Sequence, residues 1–316
     1  MSEQERSPSV LIVSHDAEDL AKLVAEAEPG IDIAIAHDAR EAADAYSDQR
    51  VAFGSPQAIA AALPDMTSVE WVQSSWAGVA PLLESKRRDY ILTSIKGVFG
   101  AQMAEYVAGY LMAHELRIIR RYDEQRARRW WEGVSGSVKG KRIGIMGTGS
   151  IGSDIARLAA QLGMKVTGLS RSGSAVVGFE EVFPVARIDE FLPNLDYLVA
   201  VVPDTPLTDN LLDARTLALL PVHACFVNVG RANVVDDVAL LAALRTGRLA
   251  GAVLDVFDEE PVPEENPLWD APNLLITAHM AAVSHPELIV PVFLENYARF
   301  AKGQDLVHVV DFDKGY

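Results

Sequence analysis

Three glycines in the segment GIMGTGSIG constrain the fold of this chain more than any other feature of its sequence. They follow an apolar, strand-like run and open an amphipathic, helix-like one. In such a turn the first glycine permits the tight bend, the second lets the backbone approach a pyrophosphate, and the third allows close packing of helix on strand. A glycine-rich turn without a ligand is the alternative, but this context favours dinucleotide binding. The expected contacts are Gly147, Thr148, Gly149, Ser150, Ile151 and Gly152.

Short apolar runs alternate with amphipathic stretches along almost the whole chain. SVLIVSH, IDIAIAH and VAFGS are examples in the first hundred residues, and a second series starts at residue 141. This alternation is typical of parallel sheets covered by helices. We therefore expect an α/β fold of two doubly wound parallel-sheet domains, a flavodoxin-like substrate domain (1–101 and 286–316) and a Rossmann dinucleotide-binding domain (102–285).

Two further segments have the apolar spacing of helices. GAQMAEYVAGYLMAHELRIIRRYDEQ, residues 100–125, predicts one long helix. The tail ELIVPVFLENYARFAKG predicts another, which we expect to pack back onto the first domain.

Composition argues against several classes of partner. The formal net charge of −16 disfavours nucleic acid and anionic membranes. No apolar run approaches the roughly 18 residues of a membrane helix, and the polar opening MSEQERSPS does not resemble a signal peptide, so we expect a cytoplasmic protein. The single cysteine, Cys225, lies in the apolar run ACFVNVG, which favours a buried thiol over a catalytic one.

One segment is strongly basic although the chain as a whole is acidic. RIIRRYDEQRARR, residues 117–129, contains six arginines. A patch for a phosphate or a partner is one interpretation, and a solvated or subunit-contacting helix face is the other, which the composition favours.

An arginine stands where a dinucleotide-binding unit usually has an acid. The second strand of the unit, KVTGLS, ends beside the adenosine ribose, where Asp or Glu would bind a free 2′-hydroxyl and repel a 2′-phosphate. Here Arg171 and Ser172 follow the strand, and both side chains can donate to a phosphate. We therefore expect NADP(H) to be preferred, with NAD(H) as the alternative cofactor; a solvated surface arginine is the structural alternative.

Reactive side chains follow three later strands of the same domain. FVNVGR ends in Arg231, AVLDVF carries Asp255 with Glu260 shortly after it, and LLITAH ends in His279. Because ligands of an open parallel sheet bind beyond the carboxyl ends of its strands, we expect these side chains to share one site.

Together these residues suit hydride transfer to a 2-keto acid. Arg231 can grip the substrate carboxylate through two parallel hydrogen bonds, and His279 can protonate the carbonyl oxygen as hydride arrives. Glu260 can pair with His279 and favour its imidazolium form, while Asp255 can accept from the nicotinamide carboxamide. The structural alternatives are a hydrogen-bonded core histidine, a surface arginine and a solvated acidic loop.

The motifs NVGRANVVDD, LDVFDEEPVPEENPLW and ITAHMAAVS resemble those of the D-isomer-specific 2-hydroxyacid dehydrogenases, and WAGVA and MAEYVAGYLM extend the likeness through most of the chain. The resemblance implies two domains flanking an active-site cleft, and commonly a homodimer. It implies that Arg231 binds the substrate carboxylate and that His279 is the acid/base with Glu260 as its partner. Further cofactor contacts are expected from Val202, Pro203, Val229, Gly230, Arg231, Asp255, His279 and Ala281.

The resemblance also assigns substrate contacts to the first domain. The backbone amides of Ala77, Gly78 and Val79 would complete the carboxylate pocket. Trp76 and the pair Trp130-Trp131 could line a substrate pocket, although buried aromatic residues more often belong to a core.

Within the family, WAGVA, the Arg171-Ser172 pair and HMAAVSHP are most similar to the NADPH-dependent glyoxylate and hydroxypyruvate reductases. Ala232 and Met280 depart from the usual Gly and Ile or Val of the family. We therefore expect an oxidoreductase that reduces glyoxylate or hydroxypyruvate to the D-2-hydroxy acid with NADPH and without a metal ion. The alternatives are a dehydrogenase for larger branched or aromatic 2-keto acids and a dinucleotide-sensing, corepressor-like binding protein.

Overall fold

The computed structural model describes residues 8–313 and residue 315. The chain divides into two compact units: one takes the chain up to Val98 and from Ser284 onward, and the other is Phe99–Val283. The sequence predicts domain boundaries a few residues away, at 101/102 and 285/286. Residues 1–7, which carry most of the opening segment that argues against a signal peptide, lie outside the described residues.

Five parallel strands form the sheet of the first unit, in the order β2-β1-β3-β4-β5. This is the flavodoxin-like order, as predicted. Apolar runs such as VLIV are buried along their whole length, which is typical of a strand covered on both faces. The strands are β1 Val10–Val13, β2 Ile33–Ala36, β3 Val51–Gly54, β4 Trp71–Ser74 and β5 Ile91–Thr93. The helices are α1 Ala17–Ala27, α2 Ala39–Ala45, α3 Pro56–Ala62, α4 Ala80–Leu83 and a C-terminal helix, Pro286–Ala301.

The C-terminal helix packs on the sheet of the first unit. The ring of Phe293 stacks on Phe53 with 4.4 Å between centroids and on Trp71 with 5.5 Å. The side-chain amide of Asn296 is fully buried and donates to Gln73 Oε1 at 3.1 Å. Stacked aromatic rings and a satisfied buried amide therefore fix the tail to the first unit.

Seven parallel strands form the sheet of the second unit, in the order β12-β11-β10-β9-β6-β7-β8. The order reverses between β6 and β9, which is the switch point where a doubly wound sheet binds its ligand. The strands are β6 Arg142–Met146, β7 Lys165–Ser170, β8 Glu181–Pro184, β9 Tyr197–Ala200, β10 Cys225–Asn228, β11 Gly251–Leu254 and β12 Leu274–Ile276. The helices are α5 Gly100–Glu115, α6 Ile118–Arg126, α7 Ser150–Gln161, α8 Ile188–Phe191, α9 Ala214–Leu217 and α10 Asp237–Arg245. None of the helices that the structure describes is long and apolar enough to cross a membrane.

The segment expected to form one long helix forms two. Helix α5 ends at Glu115, and α6 begins after Arg117, whose φ of +55° is left-handed. Helix α5 buries residues such as Val107 and Leu111, whereas α6 buries none of its residues. Because packing of an apolar face supplies most of a helix's stability in a protein, the regular helix stops where that face stops. The prediction of one uninterrupted helix is therefore wrong.

Cys225 is the first residue of β10 and is only 3% exposed. Burial raises the pKa of its thiol to about 12, so the thiol stays protonated and unreactive at neutral pH. The expectation of a buried thiol is confirmed.

Candidate active site

The glycine turn of the second unit accepts no side chain at two of its three glycines. Gly147 has φ +101°, and a Cβ built there would lie 2.8 Å from the carbonyl oxygen of Val201. A Cβ at Gly152 would lie 1.9 Å from the carbonyl oxygen of Gly147. Both contacts are too short, so tight backbone packing requires these glycines.

Gly149 differs because a Cβ built on it would meet no atom within 4 Å. Gly149 is also the N-cap residue of α7, and no side chain among the described residues caps this helix end. The first-turn N–H groups of a helix point outward and attract anions. The turn therefore combines open space, first-turn amides that no side chain among the described residues caps, and a helix N-terminus, which is what the pyrophosphate of a dinucleotide requires.

Hydroxyl groups surround the end of β7, where the adenosine ribose is expected. Ser170 Oγ accepts the N–H of Gly173 at 3.0 Å, and Ser172 Oγ lies 2.8 Å from Ser174 Oγ. Arg171 and Ser172 are both exposed. The chain from Arg171 to Phe179 contains no acidic residue, so it supplies no carboxylate that would repel a phosphate.

The histidine predicted as the acid/base lies against the predicted glutamate. His279 Nδ1 is 2.8 Å from Glu260 Oε2, and Glu260 Oε1 accepts the N–H of Phe257 at 2.9 Å. Because a carboxylate only accepts, Nδ1 carries the hydrogen of this bond. Nε2 has no hydrogen-bond partner among residues 8–313, and the side chain is 53% exposed. Nε2 is therefore the atom of His279 that can exchange a proton with a ligand.

Arg231 follows β10 and lies in a partly buried position. Burial lowers the pKa of its guanidinium, and the nearby carboxylates of Asp204 and Glu260 oppose this shift. Its Nη1 donates to the carbonyl oxygen of Gly230 at 2.6 Å, but no carboxylate of the described chain lies within 4.0 Å. Most of its five N–H donors thus remain available for a carboxylate ligand.

Asn228 holds the turn that carries Arg231, a role that the sequence analysis did not identify. Its side-chain Nδ2 donates to the carbonyl oxygen of Arg231 at 2.9 Å, and its Oδ1 accepts the N–H of Gly230 at 3.1 Å. Asn228 is fully buried. A lone amide in the apolar run ACFVNVG is the signal that could have identified it, because buried amides must find partners.

Asp255 holds the turn that carries His279. Its Oδ1 accepts the N–H of Met280 at 2.9 Å and its Oδ2 that of Ala281 at 2.8 Å. Its main-chain oxygen accepts the N–H of His279 at 2.8 Å. The expected contact of Asp255 with the nicotinamide stays a prediction; in the structure Asp255 also holds this turn.

The remaining predicted cofactor contacts lie after neighbouring strands. Val202 and Pro203 follow β9, and Val229 and Gly230 follow β10. A Cβ at Gly230 would lie 3.0 Å from the carbonyl oxygen of Val202, so the two segments touch. They lie at the carboxyl edge of the sheet, beside the switch point.

The predicted substrate contacts of the first unit form the loop after β4. Ser74 Oγ accepts the N–H of Trp76 and donates to its carbonyl oxygen, both at 3.0 Å. Trp76 is 41% exposed and Val79 is buried. Trp76 is therefore not a core residue, and the expected contacts of Trp76, Ala77, Gly78 and Val79 with a substrate stay predictions.

An apolar groove of about 490 Å³ lies beside His279 in the second unit. Its lining residues are Phe257, Glu260, Pro261, Val262, Trp269, Ile276, Thr277, Ala278 and His279.

Comparison with known proteins bears on this geometry. Residues 108–281 match the sequence profile described as D-isomer specific 2-hydroxyacid dehydrogenase, NAD binding domain. The chain belongs to this dehydrogenase family. The match confirms the predicted family and identifies the second unit as the dinucleotide-binding part of an NAD(P)-dependent oxidoreductase.

Alignments with relatives of known sequence or known structure extend over most of this chain. It is 32% identical over 253 residues to glyoxylate/hydroxypyruvate reductase A of Yersinia enterocolitica, covering 76% of this chain and 79% of that protein. A family protein from Aeromonas salmonicida has a TM-score of 0.93 at 38% identity, covering 97% of this chain and 100% of that one. The NADPH-dependent glyoxylate/hydroxypyruvate reductase of Sinorhizobium meliloti, in complex with NADP and sulfate, has a TM-score of 0.83 at 31% identity, covering 98% and 100%. The predicted fold of two parallel-sheet domains is confirmed.

The two glycines Gly149 and Gly152 should respond differently to alanine. We expect Gly149→Ala to keep the stability of the wild type and to bind NADPH at least about tenfold more weakly, because its methyl group would occupy the space that a pyrophosphate needs. Gly152→Ala should lower the free energy of unfolding by about 1–3 kcal/mol, because its methyl group overlaps a carbonyl oxygen. Thermal unfolding and fluorescence titration with NADPH measure the two effects. Unchanged NADPH affinity in Gly149→Ala would show that the cofactor does not approach this residue.

Proposed function

We propose that this enzyme reduces glyoxylate or hydroxypyruvate to the corresponding 2-hydroxy acid, the D isomer where the product is chiral, with NADPH as hydride donor. The observation that carries the proposal is the His279–Glu260 pair. Nε2 of His279 has no hydrogen-bond partner among the described residues, and His279 follows β12, which lies two strands from β10, the strand that Arg231 follows. Relatives named glyoxylate/hydroxypyruvate reductase A support the substrate class. Solved relatives in complex with NADPH or NADP support the cofactor.

His279 supplies the proton of the reduction. When bound, the reduced nicotinamide supplies the hydride that reaches the carbonyl carbon. The imidazolium then gives its Nε2 proton to the carbonyl oxygen, so that one hydride and one proton convert the carbonyl into a hydroxyl group. The bond from Nδ1 to Glu260 persists before and after this transfer, so it keeps the ring in one orientation and one tautomer.

Arg231 orients the substrate. Its guanidinium binds the carboxylate of the 2-keto acid through two parallel hydrogen bonds and thereby fixes the adjacent carbonyl. The partly buried guanidinium strengthens this pairing, because a carboxylate partner offsets the loss of hydration. Removal of Arg231 should therefore raise KM for the keto acid and also lower kcat.

Arg171 and Ser172 are the proposed contacts of the 2′-phosphate of NADPH. Both are exposed directly after β7, at the usual position of the adenosine ribose. A guanidinium pairs with a phosphate through charge-assisted hydrogen bonds, and these bonds have no counterpart with NADH.

Activity with NADPH and with NADH tests both the proposed keto-acid substrates and the proposed cofactor preference. We expect rapid oxidation of NADPH with glyoxylate and hydroxypyruvate, and slower oxidation with pyruvate and phenylpyruvate. Arg171→Ala should lower kcat/KM for NADPH about tenfold or more and leave that for NADH unchanged, because one charged hydrogen bond contributes about 1.5–3 kcal/mol. Arg215→Ala is the matched control, since Arg215 is an exposed arginine of the same unit that pairs with Asp189 at 2.7 Å.

Different results of these assays would contradict the proposed cofactor and the proposed substrate. A preference for NADH in the wild type would contradict the role of Arg171. Faster reduction of phenylpyruvate than of glyoxylate would contradict the proposed preference for short keto acids. Absence of turnover with all four acids would contradict the proposed substrate class.

We also propose that the enzyme is a homodimer in which residues 116–134 contact the partner copy. This segment holds a group of exposed large apolar side chains, whereas Trp131 is covered by the guanidinium groups of Arg120 and Arg121. Apolar patches of this kind typically mark protein interfaces, and arginine and aromatic residues are enriched there. This favours the subunit-contacting interpretation of the arginine-rich segment. The exposed residues are Leu116, Ile118, Ile119, Tyr122, Trp130 and Val134.

Light scattering coupled to gel filtration measures the assembly. We expect the wild type to have about twice the chain mass of 34.3 kDa and Ile119→Asp to be monomeric, because a buried carboxylate opposes association. Val222→Asp is the control, since Val222 is exposed outside this segment. A monomeric wild type, or an Ile119→Asp variant that remains dimeric, would contradict the proposed interface.

A further inference from the structure

A chain of hydrogen bonds runs from helix α5 to the turn that carries His279. The hydroxyl of Tyr106 lies 2.6 Å from Thr277 Oγ1, which lies 2.5 Å from Asp255 Oδ1. The carboxylate of Asp255 accepts the main-chain N–H groups of Met280 and Ala281, and its main-chain oxygen accepts that of His279. Asp255 thus joins the tyrosine of helix α5 to the main-chain N–H groups of residues 279–281.

The direction of each bond follows from the groups involved. The carboxylate of Asp255 can only accept, so the single hydroxyl hydrogen of Thr277 points to it. Thr277 Oγ1 must then accept from Tyr106, whose hydroxyl is the donor that begins the chain. Burial raises the pKa of the Tyr106 hydroxyl, so this donor keeps its hydrogen over the working range of an enzyme.

The turn needs such support because its backbone is unfavourable. His279 has φ +50°, a left-handed conformation that is uncommon for residues other than glycine and that neighbouring hydrogen bonds help to hold. Asp255 is 1% exposed, so water does not compete for its oxygens. The ring of Tyr106 is itself held by Tyr110, with 4.6 Å between their centroids.

We propose that Tyr106 is a positioning residue for His279, acting through the hydroxyl of Thr277 and the carboxylate of Asp255. Tyr106 orients Thr277, Thr277 completes the set of donors to Asp255, and Asp255 fixes the turn that aims the imidazole. Loss of the Tyr106 hydroxyl loosens the turn and reduces the fraction of molecules in which His279 Nε2 is correctly placed. The effect on catalysis rests on the proposed role of His279, whereas the effect on the turn does not.

Hydrogen exchange of the cofactor-free enzyme tests the structural step by itself. We expect Tyr106→Phe to speed exchange of the amides of residues 279–281 about threefold to tenfold, which is the fold-change that one net hydrogen bond supports. The control is Tyr90→Phe, which removes a buried hydroxyl that has no partner among the described residues. Tyr90→Phe should leave exchange in this turn unchanged. Equal exchange in wild type and Tyr106→Phe would overturn the proposal.

Steady-state kinetics test the consequence for the reaction. We expect Tyr106→Phe to lower kcat with glyoxylate about threefold to tenfold at saturating NADPH. Thr277→Val should have a larger effect, because it removes both bonds of Oγ1, whereas Thr277→Ser keeps the hydroxyl and should restore most of the activity. The double variant Tyr106→Phe with Thr277→Val should be no slower than Thr277→Val alone, because both changes interrupt one chain.

The outcomes distinguish this inference from the proposed function. Inactivity of the wild type with every keto acid would contradict the proposed substrate class while the exchange experiment still tests the chain of bonds. An active wild type with unchanged kcat in Tyr106→Phe, or multiplicative losses in the double variant, would overturn the positioning role of Tyr106.

Discussion

The geometry of the site in the second unit depends on the hydrogen bonds that the buried carboxylate of Asp255 accepts. This carboxylate accepts the hydroxyl of Thr277 and two main-chain N–H groups of the turn after β12, and each of these donors would cost about 1–3 kcal/mol if it were buried without a partner. These three hydrogen bonds together hold the turn in its observed arrangement. That arrangement places the imidazole of His279 against Glu260 and leaves Nε2 for a ligand.

Buried polar side chains at the ends of other apolar strands also bind the main chain of the loop that follows. Asn228 ends β10 and binds the main chain of the turn at Arg231, and Ser74 ends β4 of the first unit and binds the main chain of Trp76. In each case a buried polar side chain at the carboxyl end of a strand fixes the loop that follows. Parallel sheets collect such loops at one edge, so rigid strands position residues that themselves lie on loops.

The sequence predicts the parts of this site that depend on local pattern. The glycine turn, Arg231, Glu260 and His279 stand at recognisable positions after apolar strands, and the structure places Glu260 and His279 in direct contact. The chain of bonds from Asp255 through Thr277 to Tyr106 was not predicted, because Thr277 and Tyr106 are distant from Asp255 in the sequence and resemble ordinary strand and helix residues. The break at Arg117 was missed for a related reason, since the spacing of apolar residues does not show where a packing surface ends. Both features depend on contacts between residues that are distant in the sequence, so no single segment predicts them.

The role of His279 is tested by the rate of a single turnover of NADPH with glyoxylate in His279→Gln and in His223→Gln. His223 forms a comparable pair with Asp196 at 3.1 Å in the same unit, so its replacement controls for the loss of a histidine–carboxylate contact. If His279 Nε2 delivers the proton, His279→Gln should be slower by about 10²–10⁴-fold at saturating NADPH, and His223→Gln should match the wild type. A His279→Gln variant that turns over at the wild-type rate would contradict the account.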